Sequence, residues 1–155
     1  MANAYLIIQF ISLVLLMLVT GIFWGTWFSL SRSIERISPE SFLENGQIFI
    51  KNLAVPMRIL MPLTILFIIV STVFYPYKVS TGFYLTLISL VLIIITLLIT
   101  LLVEVPIDNQ IKNWTIETLP ADWESLRSKW QSFHTIRTFT SIGSFVLLLA
   151  GILFK

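Results

Sequence analysis

Residues 83–103 read FYLTLISLVLIIITLLITLLV. No charge interrupts this stretch. As a helix rising about 1.5 Å per residue, it is long enough to cross a hydrocarbon core roughly 30 Å thick. Three other runs have spanning length: Tyr5–Leu30, Met57–Tyr75 and Thr135–Phe154. The whole chain is 57% hydrophobic and 12% charged, whereas soluble domains carry about a quarter of their residues as charges. The expected fold is therefore all-α and membrane-embedded. It is an antiparallel four-helix transmembrane bundle with a long amphipathic last helix, formed by residues 1–155 as one domain with spans near 5–30, 57–75, 83–103 and 135–154.

The breaks between runs set the connections. Tyr75-Pro76-Tyr77 and Thr81-Gly82 are turn signals, so spans two and three form a close pair. Ser38-Pro39-Glu40 starts a helix, with Ser as N-cap, Pro in the first turn and an acid at the positive dipole end. That helix either breaks at Asn45-Gly46 or passes through it, and Pro62 kinks or tilts the second span. Val105-Pro106 is expected to end or kink the third span. Thr118–Asp122 opens a last helix of about 35 residues, roughly 50 Å long. Tyr5–Leu30 has no Lys or Arg before it and no cleavage-site pattern after it, so it is read as a retained span rather than a signal peptide.

Eight of the ten basic residues fall on the side of the two long connections: Arg32, Arg36, Lys51, Arg58, Lys112, Arg127, Lys129 and Arg137. Lys78 and Lys155 fall on the other. By the positive-inside rule the long connections are cytoplasmic and both termini lie opposite. The expected partners are the lipid bilayer and a hydrophobic small molecule. A net charge of +2 without a basic run gives nucleic acid no footprint, and a homo-oligomer is left open. The absence of cysteine excludes disulfides, thiol redox chemistry, thiolate-held metal and c-type haem attachment. With one histidine and scattered carboxylates, no metal site and no cofactor is expected.

The chemistry-bearing residues gather in two places. Trp123, Arg127, Trp130, His134, Arg137 and Ser141 recur at spacings of four and three, which puts them on one helix face. An aromatic belt with interfacial arginines explains Trp123 and Trp130. It explains His134 and Arg137 less well, because their face stays polar down to Ser144. Charge at membrane depth pairs, lines a cavity or does chemistry. Glu104 is the natural counter-charge, and His134 is suited to acid–base work. Asp108 and Asn109 follow the Val105-Pro106 break and are expected at the wall of a polar cavity, although helix termination alone also accounts for this segment. In the first span, Gly21 and Gly25 read as a close-packing pair. Trp24 and Trp27 either pack or wall an aromatic cavity.

The run Val105-Pro106-Ile107-Asp108-Asn109, followed by Trp114, Trp123, Arg127, Trp130, His134 and Arg137, resembles the signature of the anthrone oxygenase-like family of small four-span membrane proteins. That signature has V-P-x-N near a following Asn, then a Trp, then R-x-x-W-x-x-x-H-x-x-R leading into the last span. Arg127 to Arg137 fits the second part throughout, whereas Asp108 stands where Asn is commoner. The resemblance implies oxidation of a hydrophobic, anthrone-like aromatic by dioxygen without a cofactor. Under it His134, Glu104, Arg137 and Arg127 would be catalytic. Trp123, Trp130, Trp114, Asn109, Asp108, Trp24 and Trp27 would hold the substrate. The alternative is a non-enzymatic membrane protein that binds a lipid, quinone or haem, or scaffolds a partner.

Overall fold

A computed structural model describes residues 2–154; Lys155, counted above on the far side, lies outside the described residues. The chain forms α1 (Ala2–Ser29), a 3-10 helix (Ser31–Arg36), α2 (Pro39–Val73), α3 (Thr81–Ile99), a π-helical turn (Thr100–Glu104), α4 (Val105–Ile111) and α5 (Trp123–Leu153). No strand occurs among the described residues. Four helical stretches are long and apolar enough to cross a membrane: 3–36, 39–73, 81–111 and 123–153. The molecule is a multi-pass helical bundle. Its direction of packing is legible in the contacts. Thr20 meets Ser141 and Trp27 meets Thr135, so α1 and α5 run oppositely. Ser89 meets Ser144 and Thr96 meets Thr140, so α3 and α5 do too.

Local chemistry accounts for the starts of α2 and α3. Ser38 Oγ accepts from the Ser41 N–H, Pro39 takes the first helical position, and Glu40 sits in the first turn of α2. Ser80 caps α3 in the same way by accepting from the Phe83 N–H. The expected second span, Met57–Tyr75, is only the latter half of α2. That helix runs 35 residues, through Asn45-Gly46, Pro56 and Pro62. A proline inside a helix removes one backbone bond, but in lipid any other backbone arrangement would leave more groups unbonded. At about 52 Å, α2 is longer than the hydrocarbon core is thick and must tilt or project.

The bundle is built with small polar side chains inside and large apolar ones outside. Ser12, Thr64, Thr86, Ser89, Thr138, Ser141 and Ser144 are completely buried, whereas Phe10, Ile59, Leu102 and Val146 are more than half exposed. Lipid tails are as apolar as leucine, so burying apolar surface drives little helix association there, and compact side chains that allow close approach do more. Most of these hydroxyls return a bond to the carbonyl four residues earlier on their own helix, as Ser12, Thr64 and Thr86 do. Gly82 of α3 and Gly151 of α5 lie backbone against backbone. A Cβ built on Gly82 would sit 2.7 Å from the Gly151 carbonyl oxygen. Gly21 and Gly25 are exposed and a Cβ at either meets nothing within 4 Å, so the expected packing role of that pair is corrected. Their face of α1 points away from its neighbours.

Two apolar clusters stabilise opposite parts of the bundle. Leu16, Phe23, Met61, Ile68, Ile93 and Leu148 form the deeper one. Ile34, Phe42, Leu43, Ile107 and Ile111 form the other, at the end that carries the long connections. The cavity described next is lined from both.

Candidate functional site

The site begins with Pro106. Proline cannot donate to the preceding turn, and its ring crowds the carbonyl four residues back, here that of Leu102. The chain answers with the π-helical turn at Thr100–Glu104 rather than by stopping, and helix continues to Ile111. Of the two outcomes expected at Val105-Pro106, an end or a kink of the third span, the end does not occur. A π turn admits one residue more than an α turn and so resets the helical phase. At its last residue Glu104 is fully buried, and Asp108 follows four residues later on the same face.

α5 supplies the opposing wall. Its face of spacing three and four buries Arg127, His134, Arg137, Thr138, Ser141 and Ser144, while Ile136, Phe139 and Val146 face outward. The helix is amphipathic, with its polar side turned inward. Arg137 is held on three sides. Its Nη2 lies 2.8 Å from Glu104 Oε2. Its Nε–H donates to His134 Nδ1 at 3.0 Å, and an Nη1–H donates to Thr100 Oγ1 at 3.3 Å. The contact with Glu104 is a close ion pair whose N–H direction is off line. Among the described residues neither Glu104 oxygen receives an aligned hydrogen bond. The guanidinium also covers the Phe23 ring at 4.7 Å.

His134 is fixed by these contacts. Arginine can only donate, so Nδ1 is the accepting nitrogen and the ring proton is on Nε2. Nε2–H is buried and has no well-formed bond among the described residues; its approach to the Phe23 carbonyl falls short of one. Trp130 stacks flat on the imidazole, with centroids 4.8 Å apart and planes 4° from parallel. The Trp130 Nε1–H donates to Asp108 Oδ1 at 3.1 Å. A continuous chain of contacts thus runs Asp108–Trp130–His134–Arg137–Glu104.

Beside this chain lies a cavity of about 480 Å³, lined by Trp130, His134, Arg137, Asp108 and Asn109 together with apolar residues of α1 and α2. That volume lies within the range of small-molecule pockets. The structure brings together five of the residues expected at a site. The others lie outside the cavity lining. Glu104 is behind Arg137. Arg127 is buried with its guanidinium 4.7 Å over the Trp123 ring, and Trp123 packs on Phe42. Trp114 packs against the Phe42 cluster, and its carbonyl accepts from Gln47. Trp24 and Trp27 stack on each other beside Phe139, and Trp27 donates to Thr135 Oγ1. Ile22, Phe23, Thr26 and Leu30 take the cavity face of α1, which turns Trp24 outward and leaves Trp27 at the edge.

The wall that sequence reasoning missed belongs to α2. Phe42, Gly46, Phe49, Leu53, Met57 and Met61 line the cavity, along with Arg58. Their spacing of four and three is legible in the sequence once α2 is read as one helix through Gly46. Gly46 has no side chain to fill the space, and a Cβ there would meet Ile111 at 3.6 Å. Among the described residues no three His, Asp or Glu side chains converge as a metal-ligand group.

Compared with known proteins, the chain matches the family model described as anthrone oxygenase over residues 51–147. No curated protein and no solved structure matches it. The matched region runs from the middle of α2, through Glu104, Asp108 and Asn109, to the buried stripe of α5, and it covers more than half of the 155 residues. By that extent of match, and by four helices able to span a bilayer, the chain belongs to the anthrone oxygenase family.

Proposed function

We propose that the protein oxidises a hydrophobic, anthrone-like aromatic with dioxygen inside the membrane and without a resident cofactor. The observation that carries this reading is the cavity, apolar along α2 and polar along α4 and α5, with Trp130, His134, Arg137 and Asp108 on one side. An anthrone is a flat apolar molecule whose ring methylene is acidified by the conjugated carbonyl. Loss of a proton gives an anion that reacts with dioxygen. One anthrone and one dioxygen yield one anthraquinone and one water. Arg137, held by Glu104 and His134, supplies a cation beside the anion as charge develops on the substrate oxygen. The Trp130 face and the α2 side chains hold the ring system. The aligned acceptor nitrogen of His134 faces Arg137, which supports a positioning role for the imidazole rather than the proton-accepting role expected from sequence.

The reading is tested with protein in lipid nanodiscs supplied with anthrone in air, against empty nanodiscs. The expected result is accelerated oxygen uptake, one mole per mole of anthraquinone, with one atom from labelled dioxygen in the new carbonyl. Turnover equal to that of empty nanodiscs overturns it. A second reading, a non-enzymatic binder of a lipid or quinone, draws on the largely apolar α2 wall. Saturable binding of anthrone without oxygen uptake would favour it. The positive-charge asymmetry supports a cytoplasmic location for the long connections and an opposite one for the turn carrying Lys78.

A further inference from the structure

The oxidation above needs a group that takes a proton from carbon, and the cavity holds few that can. Among the described residues Asp108 is the one carboxylate in its lining. The other basic groups of the site are enclosed away from the cavity or occupied. Glu104 is fully buried, lies outside the lining, and has Oε2 against Arg137. His134 offers Nδ1 to two nitrogens of Arg137, at 3.0 and 2.7 Å. Protonating Nδ1 would displace the arginine and set an imidazolium against a guanidinium. Asn109 has no basic atom, and Arg58 and Lys112 are cations.

Asp108 is arranged differently. One oxygen, Oδ1, is held by the Trp130 indole N–H at 3.1 Å. Oδ2 is absent from the buried unpartnered atoms, and no hydrogen bond to it occurs among the described residues, so it stays accessible. A carboxylate anchored through one oxygen and open at the other is oriented without being spent. The same indole stacks on His134, which receives the Arg137 N–H. The anchor of the acceptor and the aim of the cation are therefore set by one side chain.

Resting on the oxidation reading, we propose that in this chain Asp108, which stands where the family signature commonly has Asn, is the catalytic base, taking the proton from the acidic C–H of the bound aromatic ketone at Oδ2; the role belongs to this chain's own residue and not to the family signature. The C–H bond breaks, and its electron pair stays on the ring system and delocalises to the carbonyl oxygen beside Arg137. Dioxygen then takes up the electrons by one-electron transfer and recombination, forming a carbon–oxygen bond. Asp108 returns its proton to the outer peroxide oxygen. Loss of water from that hydroperoxide leaves the second ketone.

Proton transfer can be read without oxidation. In heavy water under argon, the protein is expected to accelerate deuterium entry at the methylene of anthrone over empty nanodiscs. Asp108→Asn keeps an oxygen for Trp130 but removes the base, and exchange should fall roughly 100-fold. Asp108→Ala should fall as far and recover in part, saturably, with added acetate. Folding of each variant is checked by its melting in detergent, and either folded variant suffices. Exchange at the wild-type rate in either one overturns the proposal, as does a wild type that gives no acceleration. Exchange that depends on Asp108, without oxygen uptake in air, would support the base and remove the oxidation reading. Oxygen uptake with exchange indifferent to residue 108 would do the reverse.

Discussion

Glu104 and Arg137 are a pair whose two halves are unequal in surroundings. Glu104 is wholly enclosed, whereas Arg137 reaches both the cavity and His134. Glu104→Gln keeps the shape and removes the charge, taking from the buried guanidinium its counter-ion at 2.8 Å. Breaking a buried pair from one side costs about 3–5 kcal/mol, so melting in detergent should fall sharply, and Glu104→Gln/Arg137→Met should recover most of the loss. A single variant that melts like wild type would mean that water already screens the pair. His134 gives a second test. His134→Gln still presents an acceptor to Arg137, and oxygen uptake with anthrone should fall less than about tenfold. His134→Leu leaves the Arg137 N–H unbonded, and uptake should fall roughly 100-fold through misplacement of the cation. Equal, large losses in both would return a proton-carrying role to the imidazole.

At the scale of elements, backbone proximity decides which substitutions matter. A Cβ at Gly82 would overlap the Tyr75 hydroxyl and also press on the carbonyl of Gly151 at 2.7 Å and on that of Phe154 at 3.0 Å. Neither carbonyl can rotate away as a side-chain tip would. Gly82→Ala should therefore separate α3 from α5 at that end and cost about 1–3 kcal/mol, the usual range for overpacking. Gly21→Ala meets nothing within 4 Å. It should be neutral, or stabilise by up to about 1 kcal/mol through helix propensity. Melting of the two variants in one detergent gives the comparison, and equal destabilisation by both would contradict this account of the packing. The π turn at Thr100–Glu104 obeys the same logic. It is where the chain makes room for Pro106 while keeping Glu104 inside.

For the whole molecule, the charge asymmetry makes a directional prediction. In inverted and right-side-out vesicles, a cysteine replacing Lys78 should react with an impermeant thiol reagent only from outside the cell, and one replacing Lys129 only from the cytoplasmic side. The opposite pattern would invert the proposed orientation. Four spans, the helix start at Ser38, the short connection at residues 74–80 and the buried polar face of α5 were all legible beforehand, whereas α3, expected to pair closely with the second span, packs mainly on α5. Each follows from local signals: run length against bilayer thickness, capping chemistry, and spacing along a single helix. The sequence alone therefore determined a membrane bundle and named His134, Arg137, Trp130, Asp108 and Asn109. Tertiary structure decided which of the named residues share a cavity. The phase of α1 turned Trp24 outward, and packing on Phe42 took Trp123 away from the lining. It also decided that α2 completes the cavity, because the helix runs unbroken through Gly46, Pro56 and Pro62; at membrane depth, where Pro62 lies, an unsatisfied backbone finds no water. The last decision, that Arg137 occupies His134 and Glu104 while Asp108 keeps one oxygen open, depends on distances between α4 and α5. No spacing along one helix encodes a distance to another.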